Sequence, residues 1–129
     1  RQLMWERVGL IRDGEGLRSA ADEIEALAER VWRVGIPGGP AYNLAWQDWL
    51  NLLSQLTAAR LITRSALERK ESRGSHYRKD FPEPDSQWLV NVLVQAKDGG
   101  VSVWTEPVRF TRLSPEPHRL EPASVEIGD

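Results

Sequence analysis

The feature that most constrains the fold is an apolar stripe with helical spacing between Leu17 and Val34. Apolar residues recur there every three or four positions, and charged residues fill most of the positions between them. The members of the stripe are Leu17, Ala20, Ala21, Ile24, Leu27, Ala28, Val31 and Val34. Because such a stripe has to be buried against another element, the pattern predicts an amphipathic helix in a helical bundle. Asp13 is its predicted N-cap, and the glycines and prolines over 35–40 predict a break after it.

Two further helices are predicted to pack against this one. The spacing of apolar residues predicts helices over 1–11 and 43–72, in addition to the stripe helix over 15–35. The three helices are expected to form an antiparallel bundle like that of a spectrin repeat. The apolar face of the third helix moves around its axis along its length, so its two halves are expected to face different neighbours.

Two features of the third helix each have two interpretations. Trp46 and Trp49 belong either to the core or to the rim of the bundle. Arg60, Arg64 and Glu68 form either a solvated face, with Arg64 paired to Glu68, or part of a surface for a partner. The shift of the apolar face favours the partner surface.

A β-hairpin and an irregular tail are predicted after the helices. Segments 87–95 and 101–110 are rich in valine or alternate valine with other residues, and they flank a turn that contains Asp-Gly. The proline-rich segment 113–129 has little to bury and is predicted to be irregular. The predicted class is mainly α, with a helical domain and hairpin over 1–112 followed by the tail.

Composition excludes several classes of function. The 129 residues include no cysteine, which excludes disulfides and thiolate metal sites, and the net charge of −2 argues against a nucleic-acid partner. No apolar run approaches the roughly 18 residues of a membrane span, so no direct membrane insertion is expected. No glycine-rich dinucleotide motif occurs. His76 and His118 have no neighbouring histidine or cysteine, so no metal site is predicted.

Basic residues are concentrated at the predicted end of the third helix. Seven of them lie between Arg60 and Asp80, against three acidic residues. Helix-end chemistry explains part of this segment, because Arg69 and Lys70 complement the helix dipole and Gly74 is a candidate C-cap. It does not explain the charged residues and the histidine that follow Gly74, which are equally consistent with a binding surface.

The segment R-K-E-S-R-G-S-H-Y-R-K-D-F-P resembles a signature of the C-terminal domain in succinate dehydrogenase and fumarate reductase flavoprotein subunits. L-aspartate oxidase, a relative, carries a similar run. The resemblance extends to L-M-W-E-R-V-G-L-I-R-D near the start and to N-L-L-S-Q-L-T-A-A-R-L-I before the signature. With the hairpin that ends in E-P-V, it covers roughly residues 3–112.

The resemblance implies that the chain is a fragment whose N-terminal FAD-binding domain is missing. The whole enzyme would interconvert succinate and fumarate with FAD and exchange electrons with an iron–sulfur subunit. It would be cytoplasmic and peripheral to the inner face of the membrane. The fragment alone is expected to bind no cofactor and to be inactive. Surfaces normally covered by the flavin domain are expected to allow a homodimer of the fragment.

The resemblance also implies which residues meet the flavin domain. The matching positions are Glu71, Ser72, Arg73, Gly74, His76, Arg78 and Asp80. No catalytic, cofactor-binding or metal-binding role is carried over to them. Arg73 is expected to reach helix-end carbonyls or a carboxylate across the interface, and His76 is expected to bridge to Asp80 or to the partner domain.

Two alternatives remain open from the sequence. The first is the C-terminal domain of L-aspartate oxidase, favoured by R-S-A-L-E-R-K-E-S-R-G and disfavoured by the hairpin. The second is a free-standing helical interaction module with no redox parent.

Overall fold

The computed structural model describes residues 1–39, 41–97 and 100–112, so the predicted tail over 113–129 lies outside the described residues. The helices are α1 (Gln2–Val8), α2 (Gly14–Arg33) and α3 (Leu44–Glu68). The strands are β1 (Ile11–Arg12), β2 (Tyr77–Arg78), β3 (Val90–Lys97) and β4 (Gly100–Pro107), with a 3₁₀ turn at Ser86–Trp88. None of the helices in the described ranges is both long and apolar enough to cross a bilayer.

The core lies where α1 and α3 cover the apolar stripe of α2. Near the start of α2, Leu17 packs with Val8 of α1 and Ala66 of α3. Further along α2, Ile24 packs with Leu56 and with other residues of α3. Residues later in α2 therefore contact residues earlier in α3, so the two helices are antiparallel. The predicted helical bundle is confirmed.

The start of α2 forms as its sequence predicts. The side chain of Asp13 accepts a hydrogen bond of 2.7 Å from the backbone N–H of Gly16, which satisfies one of the free donors of the first turn. The stripe residues Leu17, Ala20, Ile24 and Ala28 are buried.

The hairpin is also confirmed, with slightly different bounds. Strands β3 and β4 pair antiparallel from Val90 opposite Pro107 to Lys97 opposite Gly100. The first strand is predicted to begin at 87, but Trp88 belongs to the 3₁₀ turn, where the side chain of Asp85 accepts a hydrogen bond from the N–H of Gln87. The hairpin packs against α3. A two-stranded hairpin is only marginally stable by itself, so this packing stabilises it.

The prediction that α1 extends to residue 11 is wrong. Helix α1 ends at Val8, and Ile11 and Arg12 form β1, which pairs in parallel with β2. The backbone N–H groups of Tyr77 and Lys79 donate to the carbonyls of Leu10 and Arg12. Pairing with a segment more than 60 positions away thus overrides the local helical pattern.

The predicted end of α3 at residue 72, with Gly74 as C-cap, is also wrong. The helix ends at Glu68, and the capping residue Arg69 is extended. Gly74 does have a positive φ of 57°, but it uses this conformation in a tight turn between Arg73 and His76. The early stop has a tertiary cause, which is the burial of Glu71 and Arg78 described below.

The tryptophans of α3 and its charged residues Arg60, Arg64 and Glu68 occupy the rim of the bundle. Trp49 stacks edge-to-face with Trp32 and with Trp46, and its indole N–H donates to the Val31 carbonyl. Arg60 pairs with Glu25 of α2. Among the described residues Arg64 and Glu68 form no ion pair, so the suggested pairing of these two residues is wrong.

Candidate functional site

The candidate site is the segment that follows α3, and Glu71 is its structural centre. The side chain of Glu71 has no exposed surface. It accepts hydrogen bonds from Arg69, from Nε and Nη2 of Arg73 at 2.9 and 3.0 Å, and from the backbone N–H of Asp85 at 2.9 Å. A buried carboxylate is stable only when it is paired and fully hydrogen-bonded, and Glu71 meets both conditions.

The hydrogen bonds of Glu71 control its ionisation. Burial by itself raises the pKa of this carboxyl, but the bonds from Arg73, Asp85 and Arg69 outweigh burial and lower the pKa to about 2. Glu71 is therefore ionised under ordinary conditions. The negative charge holds two arginines, one on each side of it in sequence, and so folds the chain sharply after α3.

Arg78 closes the end of α3 from the other side. Its side chain is 3% exposed, and its Nη1 donates to the carbonyl oxygens of Ala66 at 2.9 Å and Arg69 at 3.1 Å. These carbonyls belong to the last turn, which has no partners within the helix. The role that the sequence suggested for Arg73, reaching helix-end carbonyls, is thus performed by Arg78.

Asp80 links Arg78 to the start of α2. Its two carboxylate oxygens accept from Nε and Nη2 of Arg78 at 2.8 and 2.7 Å, and Oδ2 also accepts from the N–H of Gly14 at 3.0 Å. The Arg78 hydrogen bonds lower the pKa of Asp80 to about 2. A Cβ at Gly14 would lie 2.8 Å from Asp80 Oδ2, so a larger residue here would displace the carboxylate. One bidentate pair therefore joins the end of α3 to the beginning of α2.

Ser72 and His76 complete the segment. The Ser72 hydroxyl accepts from the Arg78 N–H at 2.9 Å and donates to the Phe81 carbonyl at 2.8 Å. His76 does not bridge to Asp80 as expected. Its Nε2 lies 3.2 Å from the Arg69 carbonyl, and its Nδ1 lies 3.3 Å from Nη1 of Arg12.

The residues singled out from the sequence separate into two groups. Glu71, Ser72 and Arg78 are buried and make their hydrogen bonds within the chain, whereas Arg73, Gly74, His76 and Asp80 are wholly or partly exposed around the turn. The four exposed residues are the ones whose side chains or backbone are accessible to another domain. In the described ranges no group of three histidine, cysteine or carboxylate side chains comes close enough to hold a metal ion.

Four participants were not identified as site residues from the sequence: Arg12, Gly14, Arg69 and Asp85. Arg12 and Gly14 lie more than 60 positions before their partners, so no local pattern connects them to the segment. The signal that could have found Arg12 is the resemblance itself, because L-I-R-D was among the matching stretches. Asp85 contributes its backbone N–H, and a pattern of side chains in the sequence does not indicate a backbone donor.

The stability of the chain is expected to fall as the pH is lowered from about 5 towards 2. Folding depresses the pKa values of Glu71 and Asp80 to about 2, from ordinary values of 4.5 and 3.8. In this window the unfolded chain takes up protons that the folded chain does not, so acid favours unfolding, and the contribution is fully present at higher pH. Urea unfolding at a series of pH values measures the effect. Asp80→Asn should flatten the dependence, and an unchanged slope would contradict this assignment.

Comparison with known proteins places this geometry among flavoprotein subunits. Residues 1–123 match the family described as fumarate reductase flavoprotein C-term. A fumarate reductase flavoprotein subunit of Mycobacterium tuberculosis is 39% identical over 110 residues, covering 83% of this chain and 19% of that protein. An L-aspartate oxidase of Rhodospirillum rubrum is 44% identical over 85 residues, covering 66% of this chain and 25% of that protein.

The fold is similar to solved structures of the same group. A quinol fumarate reductase structure from E. coli matches with a TM-score of 0.75 and 29% identity, over 89% of this chain and 20% of that chain. The chain spans about a fifth of the length of the fumarate reductase relatives that it matches.

Proposed function

The chain belongs to the fumarate reductase flavoprotein C-terminal family, and we propose that it braces the flavin-binding domain of a FAD-dependent subunit. In this proposal the whole subunit interconverts succinate and fumarate and exchanges electrons with an iron–sulfur subunit. The observation that carries the proposal is the family match over residues 1–123, which includes the Glu71 cluster and the hairpin.

The described residues do not fit the flavin itself. Dinucleotides bind where a strand leads through glycines to the free N-terminus of a helix. The strand-to-helix connection from β1 to α2 is the one parallel-strand unit in the described ranges, and its helix N-terminus is already filled by the carboxylates of Asp13 and Asp80. We therefore assign flavin binding and catalysis to the remainder of the subunit.

An apolar groove on the helical bundle supports a bracing role. The groove, of about 530 Å³, runs between α1 and α3 and is lined by Leu3, Trp5, Leu52 and Ile62, among others. Trp5 is 82% exposed. A contiguous apolar surface of this kind is typical of a protein contact. We propose that this groove and the exposed turn residues Arg73, Gly74, His76 and Asp80 together meet the flavin domain, and that self-association of the isolated chain would use the same groove.

We extend the proposal to the assembly. The similar structures include quinol fumarate reductases and an Sdh1 complex of Mycobacterium smegmatis. This similarity supports a subunit that joins an iron–sulfur protein in a complex at the cytoplasmic face of a membrane.

The proposal is tested by comparing the 129-residue chain with the protein encoded by the whole reading frame that contains it. The complete protein should purify with stoichiometric flavin and reduce fumarate with a reduced viologen dye. The 129-residue chain should be colourless and inactive. An open reading frame without a flavin domain would overturn the proposal and leave a free-standing helical module. Stoichiometric flavin on the short chain would overturn the assignment of flavin binding to the remainder.

L-aspartate oxidase is the second candidate, because the Rhodospirillum rubrum enzyme shares 44% identity with this chain. That match covers a smaller share of the chain than the match to the Mycobacterium tuberculosis subunit, 66% against 83%. The same purified protein distinguishes the two. Oxidation of L-aspartate with no dye-linked oxidation of succinate identifies the oxidase.

A further inference from the structure

The ring of His76 contacts both the end of α3 and β1. Its Nε2 lies 3.2 Å from the carbonyl oxygen of Arg69, the capping residue of α3, and its Nδ1 lies 3.3 Å from Nη1 of Arg12 in β1. His76 also closes a tight turn, because its backbone N–H and carbonyl form hydrogen bonds of 3.0 and 2.8 Å with Arg73. The next residue, Tyr77, begins β2. The ring therefore holds this turn, the Arg73–His76 turn, against two other elements.

The partners of the ring determine where it carries its proton. A guanidinium can only donate, so Nδ1 accepts from Arg12, and a carbonyl oxygen can only accept, so Nε2 carries the proton. The two contacts belong to one tautomer of the neutral ring. A second proton would place an N–H group at Nδ1 against the N–H of Arg12. The charged ring therefore loses its contact with β1.

The charges around the ring oppose the same protonation. Three elements face His76 with a charged group, and all three groups are positive: Arg12 of β1, Arg69 at the end of α3 and Arg78 of β2. The hairpin side of the cavity beside the ring is formed by the apolar Val92 and Val94. Burial lowers the pKa of His76, and the three charges lower it further, against the raising effect of the hydrogen bond with the Arg69 carbonyl. His76 is therefore neutral at neutral pH.

Arg12 is the member of this group whose charge is not offset by a carboxylate in the described part of the chain. Arg69 is paired with Glu71. Arg78 is paired with Asp80. None of the ion pairs formed in the described ranges involves Arg12. Its charge is therefore the one that acts most directly against a second proton on the ring.

We propose that His76 makes the Arg73–His76 turn sensitive to pH: the neutral ring holds the turn against β1 and α3, and protonation of the ring releases it from β1. The turn contains Arg73, Gly74 and His76, which are proposed above to meet a flavin domain. Release in mild acid would weaken that contact. This consequence rests on the proposed function, whereas the pH-sensitive turn does not.

The direction of the effect follows from the lowered pKa of His76. The stability that the neutral ring provides is fully present above the ordinary value of 6.5 and is lost as the pH falls below it, through the pKa of the folded chain. In this window the unfolded chain takes up a proton that the folded chain does not. The loss begins at a higher pH than the loss caused by Glu71 and Asp80, whose ordinary values are 4.5 and 3.8.

The test follows the imidazole signals of His76 in ¹⁵N-edited spectra of the 129-residue chain as the pH is lowered from neutral, and His76→Gln identifies these signals by their absence. The neutral ring should be the Nε2–H tautomer, and its midpoint should lie below 6.5. Amide hydrogen exchange measures release. The Tyr77 N–H donates to the Leu10 carbonyl at 3.1 Å, and its protection should fall several-fold below the midpoint. The amide of Ile24, buried in α2, is the internal control and should keep its protection.

Arg12→Gln tests the source of the effect. Removing the charge that faces Nδ1 should raise the midpoint of His76. Arg64→Gln, on an exposed arginine of α3, is the matched control and should leave the midpoint unchanged. Far-ultraviolet circular dichroism establishes that both variants are folded, and the titration of the unmodified chain decides the question if Arg12→Gln is not.

Three results would each overturn the proposal: a midpoint of His76 at or above 6.5, unchanged protection of the Tyr77 amide below the midpoint, or an unchanged midpoint in folded Arg12→Gln. None of them depends on a flavin domain. A reading frame without such a domain would overturn the proposed function and leave the pH-sensitive turn in place.

Discussion

Replacing Glu71 with glutamine is expected to lower the free energy of unfolding of the chain by about 3–5 kcal/mol, the range for breaking a buried ion pair. The carboxylate is fully buried and receives hydrogen bonds from two arginines and one backbone N–H. Glutamine keeps the shape but removes the charge. Its NH₂ group is a donor and is placed against donors that face the carboxylate. Arg69, itself largely buried, then loses its counter-charge.

Urea unfolding of the two chains measures this loss. Glu68→Gln is the matched control, because Glu68 is exposed at the last position of α3 and the same chemical change there should alter stability by less than about 0.5 kcal/mol. A loss at Glu71 no larger than that of the control would contradict the central role of this residue.

Replacing Arg78 with methionine is expected to cost about 3–5 kcal/mol for the same class of reason. Methionine has a similar stem and leaves the carbonyls of Ala66 and Arg69 without their donor. Asp80 loses its bidentate partner, so the connection between the end of α3 and the start of α2 is broken. Thermal unfolding followed by far-ultraviolet circular dichroism should show loss of the helical signal at a lower temperature than in the unmodified chain.

Lys79→Met is the control for Arg78→Met. Lys79 is exposed and is the next residue along the chain, so its replacement should have little effect on stability. Equal effects of the two changes would contradict the internal structural role of Arg78. The comparison therefore tests the internal role of Arg78. The exposed Arg73 and the partly exposed His76 are the better candidates for the proposed contact with a flavin domain.

The candidate site was only partly predictable. The resemblance identified Glu71, Arg73, Arg78 and Asp80 as a set, but not which of them is buried or how they pair. Arg73 was expected to act on the helix end, and that position is occupied by Arg78. The reason is that pairing depends on how the chain turns after α3. The turn at Gly74 brings the Arg78 side chain back to the end of that helix.

The sequence by itself determined the elements whose signals are local. The stripe from Leu17 to Val34 specifies α2, because neighbours three and four positions apart share a helix face. Asp13 specifies the start of α2, and the segment with Asp-Gly specifies a hairpin. Tertiary structure alone decided where α1 and α3 end and which charges are buried. Those outcomes depend on the pairing of β1 with β2, which lie far apart in sequence, and on the burial of Glu71 and Arg78. Both effects outweigh the few tenths of a kcal/mol per residue by which local propensities differ.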